Sequence, residues 1–417
     1  MSPLSRRDFV KAAGISASVM FLPGSLRAQS AAGRVVVIGG GFGGGTTAKY
    51  LRLWSPGVQV TLVEPNPTYH SCVMSNLYYP GSIPLDFLET SYDGLVRRGV
   101  EMVRDSVVAV DTGSHTVSLR GGRQLPYDKL VVAPGIDFIF PPGLEDPAAQ
   151  ARVPHAWKAV AEQAPRLRSM LRAMPDGGTF VLTVPPLPYR CPPGPYERTC
   201  MVASYLRRSK PRSRVVVLDA NPDIVAKRDI FHHAFDVTHR GFVEYHAKAP
   251  VTSVDADTLT VSTPIGSFRG DVLNLIPAQR AGQIAFEAGL VNVNGRWAGV
   301  DPQTFESTAA RDVFIVGDAN GSSVGKSGHF ANSEGKLVAA AIGAQFAGEP
   351  ENPSPMLGNV CYSAITLSTA SWFTNHLAYR NGAMVAVSES VAEGSPSGSN
   401  FERMPAWARN LWADSLL

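Results

Sequence analysis

The chain has 417 residues, 44% apolar and 18% charged, with a formal charge of +3; that is apolar material for more than one core. Arg6, Arg7, Lys11 and Arg27 against Asp8 account for the charge excess. The remainder is near neutral, which argues against nucleic acid or an anionic membrane surface as a partner.

Ser5-Arg6-Arg7-Asp8-Phe9-Val10-Lys11 is followed by a weakly apolar run over 12–22 and small residues around 28–32. This is a twin-arginine export signature, so a signal peptide over residues 1–30 and a periplasmic protein are expected. No later stretch reaches the roughly 18 unbroken apolar residues of a spanning helix, so no transmembrane segment is expected. Cys72, Cys191, Cys200 and Cys361 fit neither a zinc spacing nor a haem-attachment motif, and no metal site is expected. An oxidising compartment permits disulfides, and spacing alone leaves their pairing open.

Arg34-Val35-Val36-Val37-Ile38 is a short apolar strand of the kind buried in a parallel sheet. It runs into Gly39-Gly40-Gly41-Phe42-Gly43-Gly44, then a helix from Gly45 to about Trp54, then a second strand over 58–64 ending in Glu64. This is a dinucleotide-binding βαβ unit. Gly39 permits the tight turn, Gly41 lets backbone approach a pyrophosphate, Gly44 lets helix and strand pack, and Glu64 stands where a carboxylate accepts from ribose hydroxyls. Two further strands, one ending in Ala133-Pro134-Gly135 and one in Gly317-Asp318, complete a pattern that resembles two-dinucleotide-fold flavoproteins. That likeness implies FAD, with Asp318 on the ribityl chain and the following helix aiming its N-terminus at the flavin.

Strands over 178–184 and 214–219 begin a second unit of the same type. Between them a nicotinamide enzyme would carry another glycine turn, but this chain has Pro185-Pro186-Leu187-Pro188-Tyr189-Arg190-Cys191-Pro192-Pro193-Gly194-Pro195. Proline has no N–H to offer a pyrophosphate, so NAD(P)H is not expected as the electron donor. Rigid backbone around Cys191 suits a reactive thiol and equally a structural one, and the residues alone leave both open. A helix over 335–345, a Pro/Gly linker over 348–358, strand-like stretches and a short helix over 404–417 follow. The fold class is α/β, with two Rossmann-like domains (33–150 with 285–347, and 151–284) and a small C-terminal α+β interface domain (350–417).

Cys191-Pro192-Pro193-Gly194-Pro195-Tyr196-Glu197-Arg198 is far more specific than any glycine motif. With Tyr69-His70-Ser71-Cys72, Pro154-His155-Ala156-Trp157-Lys158-Ala159 and Val360-Cys361-Tyr362-Ser363, it resembles the flavoprotein subunit of flavocytochrome c sulfide dehydrogenase over nearly the whole mature chain. The resemblance implies a covalent bond from Cys72 to FAD and a redox-active disulfide between Cys191 and Cys361. It also implies hydrosulfide as the small-molecule substrate and a c-type cytochrome subunit as electron acceptor. Thiol–disulfide exchange would then load the flavin with two electrons. Glu197 is a candidate for deprotonating or tuning near the disulfide, and Lys326 or Lys336 for favouring the reduced flavin. Trp372, Phe373, Trp407 and Trp412 belong to the cytochrome interface if exposed and to the core if not. Cys200 is expected to be a small buried hydrophobe, with pairing to Cys191 as the alternative. Two other functions fit the sequence: a sulfide:quinone oxidoreductase, and an accessory flavoprotein of a thiosulfate-oxidising system.

Overall fold

The computed structural model describes residues 33–417; the twin-arginine segment lies outside the described residues. In chain order the elements that position the site begin with β1 (Gly33–Ile38), α1 (Phe42–Trp54), β2 (Val58–Val63), β3 (Glu101–Val103), β4 (Lys129–Val132) and β5 (Ile136–Ile139). There follow α2 (Val160–Ala173), β6 (Thr179–Val184), α3 (Gly194–Ser209), β7 (Arg214–Asp219), β8 (Val243–His246), β9 (Val272–Leu275) and β10 (Ala278–Ala281). The last are β11 (Val313–Ile315), α4 (Gly328–Ala347), β12 (Met356–Ala364), β13 (Ala370–Arg380), β14 (Ala383–Ala386), β15 (Ala392–Ser397) and α5 (Gly398–Leu416).

The first sheet is parallel throughout, in the order β11-β4-β1-β2-β3. Its strands are runs of Val, Ile and Leu because both faces are covered. Register puts Ile38 level with Val63 and Val132, and Val132 level with Ile315. The residues that follow these four therefore leave the carboxyl edge side by side, where a doubly wound sheet presents its ligand crevice. A second parallel sheet has the order β8-β7-β6-β9. The proline-rich loop leaves its carboxyl edge after Val184. An antiparallel ribbon of β5 and β10 joins the two halves.

The C-terminal part departs from its expected outline. What was expected as a linker over 348–358 already contains the start of β12. The glycine- and serine-rich stretch near 393–399 holds the end of β15 and the head of α5. That helix is 19 residues long because Ser397 caps it, its Oγ accepting from Asn400 N at 3.1 Å. β12 and β13 form a long antiparallel hairpin, with β14 and β15 on the far side of β13.

α5 packs back onto the first sheet's helices. Trp412 is 6% exposed and its indole N–H donates to Ser71 Oγ at 2.9 Å. Asp414 accepts from Tyr50 Oη and Lys336 Nζ, each at 2.5 Å. Lys336 is thereby a fastener of the C-terminal helix, far from its suggested flavin role. Truncating a buried tryptophan costs about 3–5 kcal/mol. Trp412→Ala is therefore expected to lower the thermal unfolding midpoint, read by circular dichroism, and to loosen the segment that carries Cys72.

Candidate active site

The carboxyl edge of the first sheet opens on a cleft of about 630 Å³ bordered by Gly39, Gly41, Glu64, Cys72, Ala133, Gly135 and Asp318. A Cβ on Gly44 would lie 2.0 Å from the Gly39 carbonyl, so helix and turn approach too closely for any side chain. At Gly41 the same atom would meet only the Tyr69 ring at 4.0 Å; that position faces open space. The N-terminus of α1 has no side-chain cap, leaving its donors to a ligand. Glu64 Oε2 accepts from Gly40 N at 2.9 Å and holds the turn. A bare glycine cradle, a helix N-terminus and acids at two strand ends fit a dinucleotide such as FAD. The helix after Asp318 begins ten residues beyond it, capped by Ser327, and its first residue Gly328 borders the cleft.

A smaller cavity of about 60 Å³ adjoins the cleft, and Cys72, Val160, Arg190 and Gly328 border both. Cys72, Cys191 and Cys361 all line it. The three sulfurs come from the first sheet's crossover, the proline-rich loop and β12. All four cysteines of the chain are free thiols in the structure. Cys191 is held from several sides. It adopts φ +57, its N–H donates to the Lys326 carbonyl at 2.8 Å, and its carbonyl accepts from Gly194 N at 2.8 Å. Its neighbour Arg190 donates from the backbone to Gln279 Oε1 at 2.8 Å.

Charged side chains surround the sulfurs. Burial pushes the Cys72 thiol up, and the Arg190 guanidinium opposes it. Arg190 also stands 3.7 Å from Asp318, whose carboxyl burial pushes up. Glu197 Oε1 accepts from Ala364 N at 2.8 Å and Oε2 from Asn76 Nδ2 at 2.8 Å. Burial raises its carboxyl above the ordinary range despite those donors, which suits a group that takes up and releases a proton. Arg198 is 1% exposed and donates to Asn76 Oδ1, Asn274 Oδ1 and the His155 and Ala156 carbonyls.

Other expectations fall elsewhere. Lys326 borders neither the cleft nor the small cavity. Its ammonium donates to the Asp318 and Asn320 carbonyls at 2.9 and 2.7 Å and lies 3.8 Å from the Trp297 ring centroid, and burial pushes its pKa down to about 8. It fixes the loop rather than facing the cleft, because those carbonyls satisfy it first. Cys200 lies in the apolar core on α3, outside the cavity, so the small-hydrophobe expectation describes it and pairing with Cys191 does not. Trp372, Phe373 and Trp407 are half-buried and Trp412 is buried, so none is an exposed interface residue in this chain. Trp407 instead walls the small cavity. In the second half, Asp219 at the end of β7 accepts from Tyr196 Oη and Tyr245 Oη at 2.7 and 2.9 Å. The acid at that strand end is thus bound to protein groups. Arg190, Asn76 and Lys227 went unassigned in the sequence: Arg190 adjoins Cys191, but nothing local marks the other two.

The architecture has solved counterparts. The sulfide:quinone oxidoreductase of Aquifex aeolicus superposes with a TM-score of 0.74 at 18% identity, over 92% of this chain and 91% of that one. The NAD-dependent persulfide reductase of A. fulgidus gives 0.61 at 16% identity, over 91% of this chain and 77% of that one. The pyridine nucleotide-disulphide oxidoreductase model matches residues 33–168. Fold and site thus define a flavin-dependent oxidoreductase of the two-dinucleotide-fold class. Residues 165–277 match the central-domain model of the sulfide dehydrogenase [flavocytochrome c] flavoprotein chain. Over 43 residues the chain is 60% identical to that flavoprotein chain from Chlorobaculum thiosulfatiphilum, covering 10% of this chain and 90% of the relative. It is 22% identical over 298 residues to the mitochondrial sulfide:quinone oxidoreductase of Dictyostelium discoideum, 69% of this chain and 65% of that one. The chain belongs to the family of flavocytochrome c sulfide dehydrogenase flavoprotein chains, sulfide-oxidising flavin oxidoreductases.

His155, whose carbonyl anchors Arg198, gives the site an acid limit. Burial, then Arg198 and its neighbours, pushes the imidazole down from 6.5 to about 3. The folded protein keeps it neutral while the unfolded chain protonates it. Its stabilisation is therefore complete above pH 6.5 and is lost as pH falls toward about 3. His155→Asn, which keeps an acceptor for Trp157 N, is expected to flatten the fall of the unfolding midpoint between those two pH values.

Proposed function

We propose that the chain is the flavin-bearing component of an exported sulfide dehydrogenase, oxidising sulfide through Cys191 and Cys361 and passing electrons to a c-type cytochrome subunit. The observation that carries this reading is the meeting of Cys72, Cys191 and Cys361 on one small cavity that adjoins a glycine-floored cleft. Membership of the family supports FAD in that cleft, held by the Gly39–Gly44 turn, Glu64 and Asp318. FAD, when bound, accepts electrons in a pair and releases them singly. Cys72 borders both spaces and is the residue we assign to the covalent link.

The chain's own groups then have separate duties. The Cys191–Cys361 disulfide is the electrophile: hydrosulfide forms a bond to one sulfur, the bond between the two cysteines breaks, and the displaced cysteine leaves as thiolate. Glu197, with its raised pKa, holds or accepts the proton released as the persulfide ionises. Arg190, between Cys72 and Asp318, keeps anionic charge favourable where cavity and cleft meet. The apolar wall of Val160, Met404 and Trp407 excludes water, so these charges act at low dielectric. Periplasmic location rests on the twin-arginine segment. The likeness to quinone-linked enzymes supports a second reading, in which a quinone accepts the electrons; no helix among the described residues is long and apolar enough to cross a membrane.

In purified flavoprotein, sulfide is expected to bleach the flavin absorbance, and Cys191→Ser to abolish that bleaching. Persistence of bleaching in the variant overturns the disulfide mechanism. Non-reduced tryptic peptides are expected to show Cys191 joined to Cys361 and flavin on the Cys72 peptide. Reduction of cytochrome c, and not of a soluble quinone, is the outcome that separates the two acceptors.

A further inference from the structure

Lys227 is a buried charge to which the mechanism above gives no duty. It precedes the short helix Arg228–His233 in a left-handed conformation, φ +50, and is 8% exposed. Its ammonium donates to Ser363 Oγ and Ser371 Oγ at 3.1 Å each, to the Cys361 carbonyl at 3.3 Å and to the Ser371 carbonyl at 3.4 Å. All four acceptors are neutral, and among the described residues it forms no ion pair with a carboxylate. A buried ammonium answered only by neutral oxygens is costly to keep, and such groups are retained where an anion develops.

Strand geometry shows where that anion is. Ser363 and Ser371 face each other directly across β12 and β13. Cys361 is two residues back along β12, so its side chain projects from the same face as Ser363, about 7 Å along the strand. The ammonium therefore caps the face that carries the Cys361 sulfur. The other titratable groups around that sulfur are Glu197 from α3, Cys191 from the proline-rich loop, His329 at the head of α4 and Glu393 on β15. His329 Nδ1 accepts from Val360 N, and burial lowers its pKa, so it stays neutral. Glu197 is already tied to Ala364 and Asn76. Glu393 lies opposite Phe373 across the sheet and reaches Lys227 only through the field.

We propose that Lys227 is the positioning residue that makes Cys361 the anionic end of the cysteine pair, and so directs hydrosulfide to Cys191. The inference rests on the sulfide-oxidising reading of this cavity and adds the direction of attack. Hydrosulfide forms a bond to Cys191 Sγ, the bond between the two cysteine sulfurs breaks, and its electron pair departs with Cys361. One negative charge enters with the nucleophile and one remains on the leaving thiolate, beside the ammonium. The thiol of lower pKa is the better leaving group. Burial pushes both thiols up and Glu197 pushes both further; Lys227 and the Ser363 hydroxyl draw Cys361 back, whereas Cys361 and Cys72 add to the push on Cys191 and only Arg190 opposes it.

The test is the pH profile of iodoacetamide alkylation of the dithionite-reduced holoprotein, with the Cys191 and Cys361 peptides quantified by mass spectrometry. In the unaltered protein the Cys361 midpoint is expected below that of Cys191. Lys227→Met is expected to raise the Cys361 midpoint by about one pH unit or more, with a smaller change at Cys191, and Lys227→Arg to restore it. A Cys361 midpoint that stays in place in Lys227→Met overturns the proposal, as does equal behaviour of the Met and Arg variants. Lys227→Gln replaces the Met variant if the latter does not fold; if neither folds, the order of midpoints in the unaltered protein decides, and Cys361 at or above Cys191 overturns the proposal. A brief sulfide pulse is further expected to leave the persulfide on the Cys191 peptide, and its recovery on Cys361 instead also overturns the proposal. The alkylation profile requires no sulfide turnover, so a protein whose flavin sulfide fails to bleach refutes the parent reading without touching this measurement.

Discussion

The carboxylate of Glu197 joins three stretches of chain that have no local reason to meet. It stands on α3 six residues after Cys191, and it accepts one N–H from Ala364, three residues after Cys361. Its other oxygen accepts from the amide of Asn76, four residues after Cys72. Asn76 in turn donates to the Gly194 carbonyl and accepts from Arg198 Nε, so the knot closes on itself. A buried carboxylate with such fixed donors is short of alternatives, and each of its bonds sets the position of a sulfur-bearing segment. This knot ties together the three segments whose cysteines line the small cavity.

The same economy of partners explains why so many charges tolerate burial here. Arg198 spreads its donors over two amide oxygens and two carbonyls, and its Cζ lies 4.8 Å from the ring centroids of both Tyr79 and Trp157. Lys326 is answered by two carbonyls and a tryptophan face, Lys227 by two serines and two carbonyls. Burial pushes the pKa of each of these cations down, and several hydrogen bonds apiece offset that cost. Around the three thiols, Arg190 draws Cys72 and Cys191 down and Lys227 draws Cys361 down, so the acidities differ from one sulfur to the next. A redox pair requires that asymmetry, since two equivalent thiols would give a nucleophile no preferred direction.

Motif reading and structure part company at identifiable residues. The glycine turn, Glu64 and Asp318 were assigned from strand–turn–helix order, and they border one cleft because parallel register forces the ends of four strands into a row. Cys191 was placed in a stiff loop, and the loop is pinned by Lys326, Gln279 and Trp157. Lys326 and Lys336 were assigned by proximity in sequence to Asp318, and that criterion failed. Lys326 is taken up by the Asp318 and Asn320 carbonyls and Lys336 by the Asp414 carboxylate. The C-terminal tryptophans were ambiguous by composition; packing beside Ser71 buries Trp412, and Trp407, against Tyr362, is half-buried.

What the sequence determined alone is whatever depends on local order: two parallel half-sheets, a dinucleotide turn with an acid at each relevant strand end, and a second turn whose prolines remove the donors a pyrophosphate needs. These are properties of consecutive residues, and backbone sterics and hydrogen bonding enforce them wherever they occur. The meeting of Cys191 with Cys361, 170 positions away, was available only through likeness to a family. The companions Asn76 and Lys227 were not available at all. Contacts between distant segments are fixed by how elements pack and by which buried polar groups must find one another, and no local pattern records that choice. The tertiary structure alone decided which of many charged residues face the sulfurs.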